Sequence, residues 1–137
     1  MRKVSVWADG AARGNPGPAA AGVILLDESG NELAAFGKYL GRTTNNVAEY
    51  LALVAGLEKA MELGADAVEV NMDSELVVRQ IQGRYRVRKK HLQPLWRKAM
   101  GLLGSFGRWS IRHVPREDNR GADALANRAL DEHELSG

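Results

Sequence analysis

Between Leu40 and Val47 the hydrophobic pattern of this chain changes period, and that change limits the folds open to it. Before it, KVSVWAD (3–9), AGVILLD (21–27) and a run over roughly 32–40 carry β-branched, aromatic and apolar residues as strands do. After it, Val47, Tyr50, Leu51, Val54, Leu57 and Met61 fall at helical spacing, predicting a long helix that ends before Gly64. The connections are turns: GAARGNPGP is dense in Gly, Pro and Asn, and ESGN is tight. Three strands joined this way form an antiparallel meander, and the helix after them must bring the chain back to the sheet.

The later segments continue that plan. AVEVNMD (67–73) reads as a buried strand and SELVVRQIQG (74–83) as a short helix stopped by Gly83. RYRVRKKHLQ is a basic run, and Pro94 opens a helix reaching about Leu103. RWSIRHV (108–114) is the fifth strand, PREDNRG a loop, and ADALANRAL the last helix. The order β-β-β-α-β-α-α-β-α predicts an α/β fold. Its five-stranded mixed sheet, three strands antiparallel and two parallel, is flanked by helices. A chain of 137 residues suits one domain, 1–137, with an ordered core over roughly 1–132 and a short C-terminal tail.

Composition narrows the function classes. Hydrophobic and charged fractions of 45% and 26% are those of a globular protein. The net charge of +2, with a pI near 9.1, is compatible with a nucleic-acid partner. The absence of cysteine excludes disulfides, thiolate metal sites and a cysteine nucleophile. Neither a signal-peptide core nor a membrane-length apolar window occurs, so cytoplasmic residence without membrane association is the expectation.

Four acids stand where strands end or helices begin: Asp9, Glu49, Asp73 and Asp123. If the first strand runs up, the second runs down and the third up, so the first helix starts at the top with Glu49 in its first turn. That helix returns downward, and the strand ending at Asp73 runs up beside the first. If the fifth strand also runs up, Asp123 joins the same edge, where open α/β sheets bind ligands. Clustered carboxylates repel one another unless a divalent cation holds them, so the expectation is a metal-dependent site for phosphoryl transfer.

The phrases carrying those acids also resemble a known family. DGAARGNPGPAAAG, RTTNNVAEY, VNMDSE and PREDNRGADALAN look like the four signatures of type 1 ribonuclease H, in the right order along nearly the whole chain. The resemblance implies a ribonuclease H-like fold and hydrolysis of the RNA strand of RNA–DNA hybrids, leaving 5′-phosphate and 3′-hydroxyl ends. It implies two Mg²⁺ ions, with Mn²⁺ as a substitute, held by Asp9, Glu49, Asp73 and Asp123. Asp9 would bridge both ions, Asp123 would help hold the one that activates water, and Glu49 and Asp73 would hold the leaving-group ion. Hybrid-contacting asparagines fall on Asn15, Asn45 and Asn46, a DNA-phosphate-gripping threonine on Thr44, and a tryptophan lining the DNA channel on Trp96. Arg42 would meet the DNA phosphates beside Thr44. Gly10 and the backbone after it, with Glu49 and the asparagines, are polar enough to read a 2′-hydroxyl.

Departures from the family pattern carry expectations of their own. Where many members have a catalytic histidine before the fourth acid, the loop here reads PRED, so Arg116 is the stand-in and His113 the competing candidate. Arginine stays protonated at neutral pH, so Arg116 would steer phosphate or assist release rather than act as a base. Glu75 takes the place of an amide found in some members. The basic protrusion is reduced to RYRVRKKHLQP, and no separate hybrid-binding domain is evident.

Plainer roles stand beside these: Asp73 as a helix cap, Asn46 as an N-cap with Glu49 completing a capping box, and Trp7, Trp109 and Trp96 as core. Rival functions are a hybrid-binding module without catalysis, another nuclease of the same superfamily, and a small-molecule phosphatase. Four acids beside a phosphate path disfavour the first, and the full GNPGP and RTTNNVAEY phrases disfavour the second. The third lacks a phosphate loop. No protein partner is implied, and a monomer is expected.

Overall fold

The computed structural model describes residues 2–136; Met1 and Gly137, which the 1–137 domain boundaries include, lie outside the described residues. In chain order the elements are β1 (Lys3–Ala12), β2 (Gly17–Leu26), β3 (Glu32–Thr43), α1 (Asn45–Glu62), β4 (Ala67–Met72), α2 (Glu75–Ile81), α3 (Gln93–Gly104), β5 (Arg108–His113) and α4 (Arg120–Ser136). A 3₁₀ turn, Arg116–Asn119, leads into α4. The five strands form one sheet in the order β3-β2-β1-β4-β5. The hairpin pairs β1–β2 and β2–β3 are antiparallel, and the pairs β1–β4 and β4–β5 are parallel. The mixed sheet expected from the period change is therefore present, including the upward run of β5.

Helices cover both faces. On one face Val4, Val6 and Ala8 of β1, Val23 and Leu25 of β2, and Val68, Val70 and Met72 of β4 pack against Leu53 and Leu57 of α1 and Leu103 of α3. On the other face α4 lies across β1–β3 through Ala122, Ala126 and Leu130, all buried. Strand β2 is thus covered on both sides, which is why its sequence is apolar throughout rather than alternating.

The surface α1 buries differs from the stripe read off its large residues. Ala48, Ala52, Gly56 and Ala60 recur every fourth position and are all buried, whereas Met61 is exposed. Small residues in that row let the helix axis approach the sheet, and Met61 falls on the far side of it. Two glycines show how close the helices come. A Cβ at Gly10 would overlap the backbone of Ala48 and Glu49, and one at Gly22 would overlap the carbonyl of Ala122.

Other boundaries shift for identifiable reasons. GAARGNPGP is a turn only over residues 13–16, because Ala11 and Ala12 still pair with Ala20 and Ala19. PREDNRG is not a loop: it contains the 3₁₀ turn, fixed where Asn119 Nδ2 donates to the carbonyl of Ala8 at 3.0 Å. The expected tail after residue 132 is helical to Ser136. Arg13 pairs with Asp131 at 2.7 Å and Glu134 at 2.9 Å, and the His133 ring stacks on Tyr39, so the last turns have partners. Trp7 and Trp109 are half-buried rather than fully enclosed in the core. No helix among the described residues is long and apolar enough to cross a membrane.

Gly22→Ala should lower stability to urea by about 1–3 kcal/mol, the usual cost of forcing a methyl into a filled contact. An unchanged unfolding midpoint would show that α4 can lift from the sheet at no cost.

Candidate active site

Strand register places the first two acids. Pairing between β1 and β4 ends at Trp7 with Asn71, so Asp9 on β1 and Asp73, one residue past β4, emerge together at the carboxyl edge of the parallel strands. Asp9 is still held by its antiparallel pairing with Gly22, which makes it a residue inside a strand rather than at its end. The other two acids arrive on helices. Glu49 is the fifth residue of α1, one turn deeper than its expected first-turn position, and Gly10 admits the helix there. Asp123 lies in the first turn of α4, beside the close approach at Gly22.

Asp9, Glu49 and Asp73 each offer an oxygen within 4.8 Å of the others. Asp123 stands outside that trio but lines the same cleft, about 470 Å³ in volume, and its carboxylate is within hydrogen-bonding reach of Asp9. Glu49 Oε1 accepts from the Gly10 amide at 3.1 Å, whereas Oε2 is buried with no protein partner. An orphaned carboxylate oxygen facing other carboxylates is costly unless a cation or a proton satisfies it. Without a cation, protons do so. Burial first, then the charge of Glu49, a hydrogen bond with Asp123 and the charges of Asp73 and Asp123, push Asp9 up to about 10. Burial and the charge of Asp73 push Glu49 up to about 8, against the pull of Gly10, Asp9 and Arg116. Oxygen donors alone, closely spaced and partly unsatisfied, suit a hard divalent cation, so the cluster can hold a metal.

The plain roles weighed from sequence go to neighbours. Ser74, not Asp73, caps α2 by accepting from the Val77 amide at 3.3 Å, which leaves the Asp73 carboxylate to the cleft. Thr44, not Asn46, caps α1 by accepting from the Val47 amide at 3.3 Å, so Glu49 completes no capping box. The Thr44 hydroxyl still has its hydrogen to donate.

Around the cleft the amide side chains are braced through their oxygens. Asn15 Oδ1 accepts from the Asn45 backbone, and Asn45 Oδ1 accepts from the Ala12 backbone, both at 3.0 Å. This strap ties the β1–β2 turn to the start of α1 and leaves the –NH₂ groups as donors. Asn45, Asn46 and Gly10 line the cleft. Arg42 is exposed on β3, just before the Thr44 cap. Arg116 also lines the cleft; its side chain is 86% exposed, with Nε 3.9 Å from Asp73 Oδ2. His113 ends β5, is exposed, and is not among the residues lining the cleft.

Trp96 does not join the acids. It lines a second cavity of about 500 Å³ with Arg84, Tyr85, Arg86 and Arg97, and its Nε1 donates to the Gln80 carbonyl at 3.2 Å. The basic run thus gathers around an aromatic plane. Glu75 accepts from the Tyr85 hydroxyl at 3.0 Å and is exposed.

Three participants escaped the sequence reading. Gln80 accepts from the Tyr50 hydroxyl at 2.5 Å, linking α2 to the residue after Glu49. Asn119 pins the turn before α4. Asn127 donates to Asp123, and its position four residues on in a helix was a usable signal.

Comparisons with known proteins agree with this architecture. A family profile described as "Reverse transcriptase-like" matches residues 8–129. Ribonuclease HI of Halobacterium salinarum is 48% identical over 130 residues, 95% of this chain. The chain spans 65% of the length of that relative and 36% of the length of three mycobacterial relatives. Ribonuclease H of Verminephrobacter eiseniae is 34% identical, covering 96% of this chain and 93% of its own. Among solved structures, LC11-RNase H1 in complex with an RNA/DNA hybrid superposes with a TM-score of 0.90 at 44% identity, covering 95% of this chain and 98% of that one.

The proton-holding acids set the sign of a pH effect. Unfolded, both titrate near the ordinary carboxyl range, about 4. Between there and about 8–10 the folded chain holds more protons than the unfolded one, so stability falls as pH rises. In cation-free buffer at pH 9, Asp9→Asn should melt several degrees above the parent, since about 1 kcal/mol moves the midpoint of such a domain by roughly 3–6 °C. Equal melting temperatures at pH 5 and pH 9 in the parent would contradict the buried repulsion.

Proposed function

Because the chain belongs to the type 1 ribonuclease H family, we propose that it is an endonuclease hydrolysing the RNA strand of RNA–DNA hybrids, with 5′-phosphate and 3′-hydroxyl products. The observation that carries this reading is the meeting of Asp9, Glu49, Asp73 and Asp123 in one cleft rimmed by amide donors. A binding module would gain nothing from such a concentration of negative charge beside phosphate.

In this reading Asp9, Glu49, Asp73 and Asp123 hold Mg²⁺, two ions with Mn²⁺ as a substitute. Bound there, such ions supply an activated water, a stabilised leaving oxygen and neutralised phosphoryl charge. The chain's own residues prepare the site. Gly10 fixes one oxygen of Glu49 and leaves the other without a protein hydrogen bond. Ser74 takes the capping role and leaves Asp73 available. Arg116, anchored loosely near Asp73, reaches over the cleft where a scissile phosphate would lie, and its fixed charge stabilises phosphate rather than moving protons.

Substrate choice follows from the rim. The –NH₂ groups of Asn15 and Asn45, oriented by their braced oxygens, and that of Asn46 on the cleft wall can donate to ribose 2′-hydroxyls or base edges across a shallow minor groove. Thr44 and Arg42 meet the phosphates of the DNA strand. The cavity around Trp96, with Arg84, Arg86 and Arg97, continues that path. Readout of this kind discriminates ribose from deoxyribose with little regard for sequence.

The test is cleavage of a strand-labelled hybrid with and without Mg²⁺ or Mn²⁺, beside single-stranded RNA and duplex DNA. Only the RNA of the hybrid should be cut, only with cation, and Asp9→Asn should lose about a hundredfold or more. Arg116→Ala should lower kcat by about tenfold while the cation concentration for half-maximal rate stays put. Binding of the hybrid without cutting by either cation would leave only a binding module.

A further inference from the structure

We propose that Asn127 is the positioning residue for Asp123, with Arg13 setting the direction in which its amide points. The proposal rests on the functional reading above, in which Asp123 is one of the four working carboxylates. Asn127 closes the phrase ADALAN and stands one helical turn beyond Asp123 on α4. Its Nδ2 donates to Asp123 Oδ1 at 3.3 Å and to the Asp123 carbonyl at 3.0 Å. Its Oδ1 accepts from Arg13 Nη2 at 3.3 Å.

An asparagine amide can sit either way round, and its surroundings decide which. Here one neighbour is a carboxylate, which only accepts, and the other a guanidinium, which only donates. A single orientation satisfies both, with oxygen toward Arg13 and –NH₂ toward Asp123. Arg13 is itself fixed from two sides. It lies in the short β1–β2 turn, and it pairs with Asp131 and Glu134 on the last turns of α4. The arrangement runs from turn to helix to site: Arg13 orients Asn127, and Asn127 takes one oxygen of Asp123. The carboxylate is thereby held at one oxygen while its other oxygen remains for the cleft it shares with Asp9.

Asp123 needs such a device more than Asp9 and Glu49 do. Asp9 is buried in a strand and Glu49 is fixed by the Gly10 amide. Asp123 is only half-buried at the start of a helix, where its side chain would otherwise turn freely. Outer groups that orient metal-holding carboxylates commonly change metal affinity or activity by about 10–100-fold when removed. The same turn carries Asn15, so one short loop both braces the substrate rim and sets the fourth acid.

The test compares Asn127→Leu, which keeps volume but loses the donor, with Asn127→Asp, which keeps the Arg13 partner but turns an acceptor toward Asp123. Mn²⁺ binding to the free protein is read by calorimetry, and kcat and KM are read on the hybrid, all well below each variant's melting temperature. Asn127→Leu should bind Mn²⁺ about tenfold more weakly and lose about tenfold in kcat, with KM within about twofold. Asn127→Asp should lose kcat comparably despite its retained ion pair. If Asn127→Leu binds cation and turns over as the parent does, Asn127 merely ties the helix and the proposal falls. Should Asn127→Leu fail to fold, parental kcat in Asn127→Asp overturns it instead. A parent that cuts no hybrid would sink the functional reading, while the calorimetric comparison would still decide the role of Asn127.

Discussion

Mutual repulsion among buried carboxylates is the constraint to which the rest of this structure answers. Asp9, Glu49 and Asp73 bring oxygens within 4.8 Å of one another, with Asp9 and Glu49 nearly out of contact with water. Burial alone disfavours each charge, and every neighbour adds to the cost. A sequence selected for stability alone would replace such a cluster with apolar residues. Its presence along one cleft makes sense when something positively charged completes it, and oxygen-only donors point to a hard divalent cation.

Holding the cluster together demands close packing elsewhere. Gly10 lets α1 come near enough for Glu49 to reach its amide, and Gly22 lets α4 carry Asp123 to the same edge. The row Ala48, Ala52, Gly56 and Ala60 continues that proximity down the length of α1. Hydrogen bonds then set orientation. Thr44 and Ser74 cap their helices, so that Asn46 and Asp73 are not spent as caps, and the Asn15–Asn45 strap locks the turn to α1. Stability and function here share the same small residues, because the contacts that let the helices dock also deliver their acids.

Much of this was legible in the sequence. The change of period located the meander and α1, and chain direction brought the four acids to one edge without appeal to side-chain detail. Their clustering already called for a divalent cation, and the family resemblance then added the identity and number of the ions, the substrate and the rim residues. What remained hidden depended on packing. Small residues give little hydrophobic signal, so the buried stripe of α1 was assigned to its large side chains and Met61 was placed inside. The capping roles weighed for Asn46 and Asp73 fall to Thr44, two residues earlier, and Ser74, one residue later, because these are capping types too and sequence alone does not fix the first helical residue. The C-terminal turns read as a tail because their partners, Arg13 and Tyr39, are more than 90 residues away in sequence and no local pattern reveals such pairing. Trp96 was expected beside the substrate path, and the structure adds the basic cavity around it.

The most direct test of the central claim is proton release on cation binding. Calorimetric titration of the free protein with Mg²⁺ or Mn²⁺ near pH 8, in buffers of different ionisation enthalpy, counts the protons expelled as the carboxylates take up metal. Saturable binding with net release of protons, abolished by Asp9→Asn, is the result this account predicts. Binding without proton release, or no binding in the parent protein, would contradict it and leave the buried acids without an explanation in catalysis.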